Sequence, residues 1–464
     1  MRRRVFMKNT ATAAAAAFGV PFIVNSNALG RYRPNDKINI AQLGWGRIAM
    51  SHDAPETIKH DMCRFTAVAD PDINRARDGK KWIENYYAKK TGKEKYVDVK
   101  VYQDYREMLM DPSIDAVVIS TPDHWHAQPA MEAALKNMDV YLQKPFSLTI
   151  KEGRQVSDVI NKTGCILQVG SQQRSISPWP QFKKAAELVR NGVLGKLIHV
   201  DVGLGTDPGC GEEPEMPVPA NLNYDLWLGS TEDVYYTEKR VHPQNNYSRP
   251  GWLRCRQFGA GMITGWGAHH IDNAHWGMGT EFTGPVELEG WGEFPDSGLW
   301  DVHGEFEVNT KYADGVTMNI SSKHPNGVKF IGEKGWIAVN RGGVKVTSSD
   351  PDTRGDKVET PAIYASDPSL LDVKLGPNAL KLYESPEQHL DWLNCIRSRR
   401  TPVAPAEVAH RSCSACLLAH IAMQIPNTTL KWDPVKEEFI GNDKANSMLR
   451  RTQRKGYGTE SVIS

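Results

Sequence analysis

The sequence predicts an α/β chain in two parts: a doubly wound parallel sheet, then a domain built on a large, mostly antiparallel open-faced sheet. Three observations predict it. At 464 residues the chain exceeds one typical domain and suits two. Residues 37–168 alternate short, unbroken apolar runs with helical stretches, the pattern of parallel strands buried on both faces. Beyond residue 171 turn residues separate strand-like runs, which fits antiparallel pairing. The expected divisions are 1–30 as an address segment, 31–170 as the first domain and 171–464 as the second, with helices at its C-terminal end.

The first thirty residues read as a targeting signal. Arg2-Arg3-Arg4-Val5-Phe6-Met7-Lys8 precedes an apolar stretch over 11–24 and the small-x-small pattern Ser26-Asn27-Ala28. That stretch is shorter than the roughly 20 residues that span a bilayer. Paired arginines before Val-Phe-Met-Lys resemble a twin-arginine signal. The expectation is an exported, periplasmic protein that folds around its cofactor before transport and carries no stable membrane anchor. Losing the segment removes four cations and no anion, so the formal charge goes from +1 to −3. Basic residues are scattered without interleaved aromatics, which gives no sign of a nucleic-acid partner.

The remaining composition is that of a soluble globular protein, with 40% hydrophobic and 24% charged residues. Thirteen Trp is a high count, and several stand beside Gly, His and Asp, where rings often stack on sugars. Seven Cys is an odd number, so at least one thiol stays unpaired. Cys413 and Cys416 stand one turn apart in an apolar helical stretch and read as thiols of the core or surface.

In the first domain, strands are expected over 37–43, 65–69, 115–121, 140–142 and 165–169. Helical spacing marks 72–90, 105–110, 127–137 and 150–162. The second domain opens with a helix over 181–191 and a strand-like run over 197–204, followed by a loop-rich stretch to about 259. Strand-like runs at 285–293, 303–309, 316–322, 329–332, 336–339 and 344–348 come next, then helices at 386–398 and 406–424.

The first strand runs straight into Gly44-Trp45-Gly46-Arg47-Ile48-Ala49. In this GxGxxA turn, Gly44 permits the bend, Gly46 lets a pyrophosphate approach the backbone, and Ala49 lets helix and strand pack closely. The second strand ends on Asp70, placed to bind an adenosine ribose 2′-hydroxyl and to repel a 2′-phosphate. Its alternative role is a helix cap. Together these predict NAD, in preference to NADP, as the cofactor.

Ser120-Thr121-Pro122-Asp123-His124-Trp125-His126, followed by Val140-Tyr141-Leu142-Gln143-Lys144-Pro145, resembles the "TP…H" and "EKP" strand ends of the Gfo/Idh/MocA oxidoreductases. Gly261-Met262-Ile263-Thr264-Gly265-Trp266-Gly267-Ala268-His269-His270-Ile271-Asp272 is similar to that family's "LxDxGxHxxD" segment. Leu430-Lys431-Trp432-Asp433-Pro434 and the Arg-rich run to Tyr457 resemble its exported members. The resemblance implies a Rossmann domain whose cofactor contacts include Ser120, Thr121, Pro122, His124, His126, Gln143, Lys144 and Gln172. It also implies a homo-oligomer, dimer or tetramer, paired through the open sheet face, and a sugar, glycoside or polyol substrate.

Lys144 precedes a proline and leaves a strand end in a fixed direction, toward the crevice at the sheet's C-terminal edge. There it can hold and polarise a substrate hydroxyl. His269 is expected to take the proton, because an unperturbed imidazole titrates far below a lysine. On a helix starting at Gly267, His269, Asp272 and Trp276 share one face. Asp272 could orient the imidazole or bind substrate. Substrate contacts are also expected from Arg174, Arg240, His242, Tyr247, Trp266 and His270. Zinc or manganese on His269, Asp272 and His270 or His275 is the competing reading, disfavoured because the spacing matches no metal motif and hydride transfer needs none.

Two departures stand out. Gln143 replaces the family's glutamate, and Gly265 occupies the place where many polyol dehydrogenases carry an aspartate. The expected activity is NAD-dependent oxidation of a secondary hydroxyl, with the dinucleotide tightly bound. One alternative is a glycoside-cleaving enzyme that uses bound NAD transiently, by oxidation and elimination. A ligand-sensing relative without catalysis is another.

Overall fold

The computed structural model describes residues 36–343 and 361–463. The expected signal over 1–30 and the expected strand over 344–348 lie outside the described residues. The compact unit Lys37–Ser464 carries everything that follows.

Six strands form the first sheet: β1 (Ile38–Leu43), β2 (Cys63–Ala69), β3 (Lys100–Tyr102), β4 (Ala116–Ile119), β5 (Asp139–Leu142) and β6 (Leu167–Val169). They pair in parallel in the order β3-β2-β1-β4-β5-β6, so the chain direction reverses between β1 and β4. A crevice outside the carboxyl ends of those strands is where such sheets bind ligands. Every residue of β4 and β5 is buried, as the unbroken apolar runs require.

Helices cross between these strands with clear start and stop signals. In α1 (Ile73–Thr91) the Asp72 side chain accepts from the Asn74 and Arg75 N–H groups, and the helix ends on Gly92. The helix α2 (Ala127–Leu135) covers the sheet beside α3 (Ile150–Thr163), which Thr149 caps and Gly164 ends. The segment after the glycine turn is not plainly α-helical. A π-helical turn, Ala49–Asp53, runs into a short helix, Ala54–Ile58, and leaves His52 and Asp53 buried.

Among the described residues the second sheet has nine strands: β7 (Leu197–Gly203), β8 (Glu287–Gly292), β9 (Phe306–Lys311), β10 (Thr317–Ser321), β11 (Gly327–Gly332), β12 (Gly335–Val339), β13 (Ile363–Ala365), β14 (Leu430–Asp433) and β15 (Glu438–Phe439). Their order is β13-β12-β11-β7-β10-β9-β8-β14-β15. Pairing is antiparallel except between β7 and β10. Along β9 buried and more exposed residues alternate, so one face is covered and the other meets solvent.

The covered face packs against α4 (Pro180–Arg190), α5 (Gly267–Met278) and α7 (Ala406–Met423), while α6 (Gln388–Ser398) lies by the first sheet. One apolar cluster runs from Val140 and Ile160 through Trp179 to Phe330 and Ile421, so the two sheets share a core. Strands β3, β13, β14 and β15 were not expected as strands. Each is four residues or fewer, too short to show a period. All seven cysteines are free, and Cys413 and Cys416 are buried in α7. No helix among the described residues is long and apolar enough to cross a membrane.

Candidate active site

A cleft opens at the carboxyl ends of β1, β2, β4 and β5, with roughly 1660 Å³ of space, part of it open to solvent. Gly44, at φ +82°, turns the chain, and a Cβ there would lie 2.8 Å from the Ser120 carbonyl oxygen. A Cβ at Gly46 would meet nothing within 4 Å. The loop is therefore packed at its first glycine and open to a ligand at its second, as a pyrophosphate cradle requires. Gly46, Arg47 and Ile48 line the cleft, while the Trp45 side chain is buried beneath it.

Asp70 stands on the cleft wall, and its Oδ2 accepts from the Trp45 N–H at 2.7 Å. Its Oδ1 accepts from the Asp72 N–H at 2.8 Å, while the helix-cap role belongs to Asp72 itself. Burial pushes the Asp70 carboxyl above its ordinary value, with Arg75 opposing. Each oxygen keeps a lone pair for ribose hydroxyls. These features fit a dinucleotide.

Ser120, Thr121, Pro122, Gln143 and Gln172 line the same cleft. Gln143 is fixed by its surroundings: its Nε2 donates to Asp53 Oδ1 at 2.8 Å and its Oε1 accepts from the Lys144 N–H at 3.1 Å. Asp53 also accepts from Ser120 Oγ at 2.6 Å and contacts His52 at 3.0 Å and His389 at 3.8 Å. Burial alone would raise the Asp53 carboxyl, but the two histidines hold it well below the ordinary range. Burial opposes charge on His389 too, yet Asp53 and Glu387 bring it up to about 9. His52, Asp53 and His389 form the one group among the described residues whose spacing could hold a metal ion. Their charges already satisfy one another as an ion cluster.

Lys144 Nζ donates to the Gly265 carbonyl oxygen at 2.8 Å. Burial pulls this amine down to about 8, Asp123 opposes the fall, and Arg249, Arg341 and Arg47 add to it. His269 lines the cleft opposite, and its buried Nδ1 has no partner. Burial, then Arg341 and Lys144, drives the imidazole well below its ordinary value. The imidazole stays below the lysine, as the sequence predicts, but both groups are depressed. The histidine stays neutral, and the lysine is the group that titrates near neutrality.

His242 and Trp266 line the cleft as expected, and His242 Nε2 lies 3.1 Å from Asp72 Oδ2. Other expected contacts stand elsewhere. Arg174 is buried and forms a bidentate pair with Asp272, at 2.6 and 2.8 Å, with Glu281 at 2.6 Å beside it. Asp272 also accepts from Ser412 Oγ at 2.6 Å. Neither lines the cleft, so the expectation that Asp272 orients His269 or binds substrate is corrected, as is substrate contact by Arg174. The metal set built on His269 and Asp272 is likewise not assembled.

His270 is buried against Asn326 at 2.9 Å. Arg240 donates to the Tyr235 carbonyl and stacks on that ring, and Tyr247 Oη donates to Asp78 at 3.0 Å beneath Arg75. His124 and His126 serve as braces behind the wall rather than as cleft contacts. His124 Nε2 lies 2.9 Å from the Trp227 carbonyl oxygen, and His126 bridges the carbonyls of Thr121 and Pro145. Burial depresses both rings, to about 3 and about 4.

Sequence reasoning missed three contributors. Arg341 lies over the Trp179 and Trp266 rings, at 3.9 and 4.6 Å, and reaches the cleft from beyond β12. Arg249 lines it from the loop-rich stretch. Asp123, inside the "TP…H" motif, lines it from the end of β4. Only its chemistry, an acid at a strand end, could have marked it. Tryptophans 125, 179, 227, 252 and 266 complete the wall, the rings of 179 and 266 lying under Arg341.

Comparison with known proteins matches two family descriptions. Residues 38–171 match an oxidoreductase family with an NAD-binding Rossmann fold, and residues 180–340 and 372–459 match the C-terminal α/β domain of the same family. Scyllo-inositol 2-dehydrogenase (NAD(+)) of Bacillus subtilis is 29% identical over 38% of this chain and 46% of its own length. A glycosyl hydrolase family 109 protein of Shewanella baltica is 32% identical over 20% of each chain. The chain thus matches less than half the length of these curated relatives. In solved structures, an aldose-aldose oxidoreductase from Caulobacter crescentus, complexed with glycerol, superposes with a TM-score of 0.56. It is 18% identical, covering 85% of this chain and 99% of the other, and shows a shared fold.

Proposed function

Since the chain belongs to the Gfo/Idh/MocA family of NAD-binding oxidoreductases, we propose that it oxidises a secondary hydroxyl of a sugar, glycoside or polyol, reversibly and with NAD. The observation that carries the reading is Lys144, a buried amine with a pKa brought near neutrality, placed in one cleft with the open Gly46 loop and the neutral His269. The dinucleotide supplies the hydride acceptor when bound. Gly44, Gly46 and Arg47 receive its phosphates and Asp70 its ribose. Lys144 holds the substrate oxygen and takes its proton, and His269 contributes a neutral imidazole to the same oxygen. The tryptophan wall shuts water from the reacting carbon and stacks on the sugar ring.

The test is a panel of polyols, aldoses and glycosides given to the NAD-loaded protein, followed by reduced nicotinamide and by carbonyl product. A protein that binds NAD and oxidises none of them sinks the reading. The match to a glycosyl hydrolase family 109 protein favours one second reading, glycoside cleavage with no net redox change. Release of aglycone without accumulation of reduced cofactor would select it.

We also read the arginine-rich N-terminus as a twin-arginine signal and the protein as periplasmic, with its dinucleotide tightly held. The open face of the nine-stranded sheet is the surface through which copies would pair. Export of an Arg3→Lys, Arg4→Lys variant as efficiently as the parent would argue for the general secretory route.

A further inference from the structure

Gly265 leaves the lysine without the acid that its position would otherwise supply, and a Cβ built there meets nothing within 4 Å. The space is empty rather than filled by another side chain. Of the carboxylates among the described residues, only two line the cleft, Asp70 and Asp123. Asp70 is committed to the glycine loop. Asp123 stands just beyond β4, next to the strand whose end carries Lys144, and is 5% exposed. Its carboxylate takes a hydrogen bond from its own backbone N–H, and the charged side chain that acts on it is Lys144. A Cβ built on Gly259, in the loop leading to the Gly261–Gly265 segment, would come within 3.3 Å of its Oδ2, so the acid is enclosed from that side as well. A carboxylate buried this deeply, lining a cavity that also holds a lysine, is costly unless it has a task there.

We propose that Asp123 is the acceptor to which Lys144 passes the substrate proton, filling from β4 the role that the chain lacks at Gly265. The inference rests on the oxidoreductase reading above. The carbinol C–H bond breaks with its electron pair going to NAD, so the carbinol is oxidised by two electrons to a carbonyl. The substrate O–H bond breaks and its proton goes to Lys144 Nζ. One N–H bond of Lys144 breaks in turn, its proton going to a water of the cleft, which passes one of its own to an oxygen of Asp123, and Asp123 returns it to solvent. The electrostatics support the exchange. Burial pushes the Asp123 carboxyl up to about 7, against the pull of Lys144, while Lys144 sits at about 8. The two titrate as a pair, so a proton can rest on either at little cost. The charged groups facing Lys144 are Asp123, Arg249, Arg341 and Arg47, and only Asp123 raises its pKa.

Asp123→Asn should lower kcat by about 10²-fold, the worth of a positioned proton-transfer group, with KM for the carbinol little changed. Asp123→Glu should recover most of the loss. In the cofactor-free protein, infrared titration with ¹³C-labelled aspartate should show one protonated carboxyl ionising near neutrality in the wild type and none in Asp123→Asn. Nuclear magnetic resonance of ¹³C-methylated lysines should show Lys144 titrating at lower pH in Asp123→Asn, which a merely structural role would not produce. Wild-type kcat in a folded Asp123→Asn overturns the inference, as does a wild-type spectrum with no carboxyl ionising near neutrality, whether or not the variant folds. A wild-type protein that binds NAD and oxidises no carbinol overturns the underlying reading instead.

Discussion

Lys144 Nζ is held by the backbone carbonyl of Gly265, 2.8 Å away and 121 residues on in sequence. The lysine of the first sheet is thus aimed by the segment that leads into α5. Its direction is fixed before substrate arrives, which is the condition for a proton acceptor to work without reorganisation. Replacing Lys144 with Ala should cut turnover by about 10²–10⁴-fold. Calorimetric titration should find NAD affinity nearly unchanged, because the glycine loop and Asp70, rather than Lys144, are the groups proposed to hold the dinucleotide. A large loss of NAD affinity would place Lys144 in the dinucleotide site instead.

The pH dependence follows from the depression of both groups. A proton acceptor must be free of its proton, so kcat/KM should fall as pH drops below about 8, where Lys144 becomes protonated, and further below about 7, where Asp123 does. His269, depressed by burial, remains neutral throughout that range. His269→Ala should therefore lower the rate while keeping the limb, and Lys144→Ala should abolish it. Loss of the limb in His269→Ala would return the histidine to the role of base.

Asp70 should govern the choice of cofactor. Asp70→Ala removes the charge that repels a 2′-phosphate and leaves Arg75 lining the cleft nearby. It also removes the acceptor of the Trp45 N–H. NAD affinity should fall while the preference over NADP narrows. Equal losses for both cofactors would limit Asp70 to holding the loop.

Arg174 and Asp272 should prove structural. Each is 1% exposed, and removing one partner strands the other's charge in the interior. Asp272→Ala should destabilise the fold by about 3–5 kcal/mol, read from denaturant unfolding. Any protein that remains folded should keep its KM for substrate. A raised KM in folded Asp272→Ala would bring the acid back to the site.

The sequence made the fold legible where chemistry is local. Gly44 to Ala49 declared a phosphate loop because each position answers a separate steric demand. The unbroken runs of β4 and β5 declared a sheet covered on both faces. Lys144 and His269 could be placed in one cleft from their motifs. How far each is depressed could not be read there, because it depends on burial and on Arg341, which arrives from another sheet. Arg174 and Asp272 are 98 residues apart and find each other only in the folded core. Periodicity carries no trace of such a pairing, so two charged residues in functional-looking motifs were read as ligands when they are cross-braces.

Gln143 separates two ionic systems that lie within a few bonds of each other. On one side are Asp53, His389 and Glu387, a buried store of charge, and on the other is the peptide of Lys144. A glutamate here could be loaded and unloaded, joining the two. An amide orients its neighbours but has no proton to surrender. Gln143 therefore acts as an insulator. It lets the buried store fix the geometry of the lysine's strand end while keeping proton traffic out of the interior.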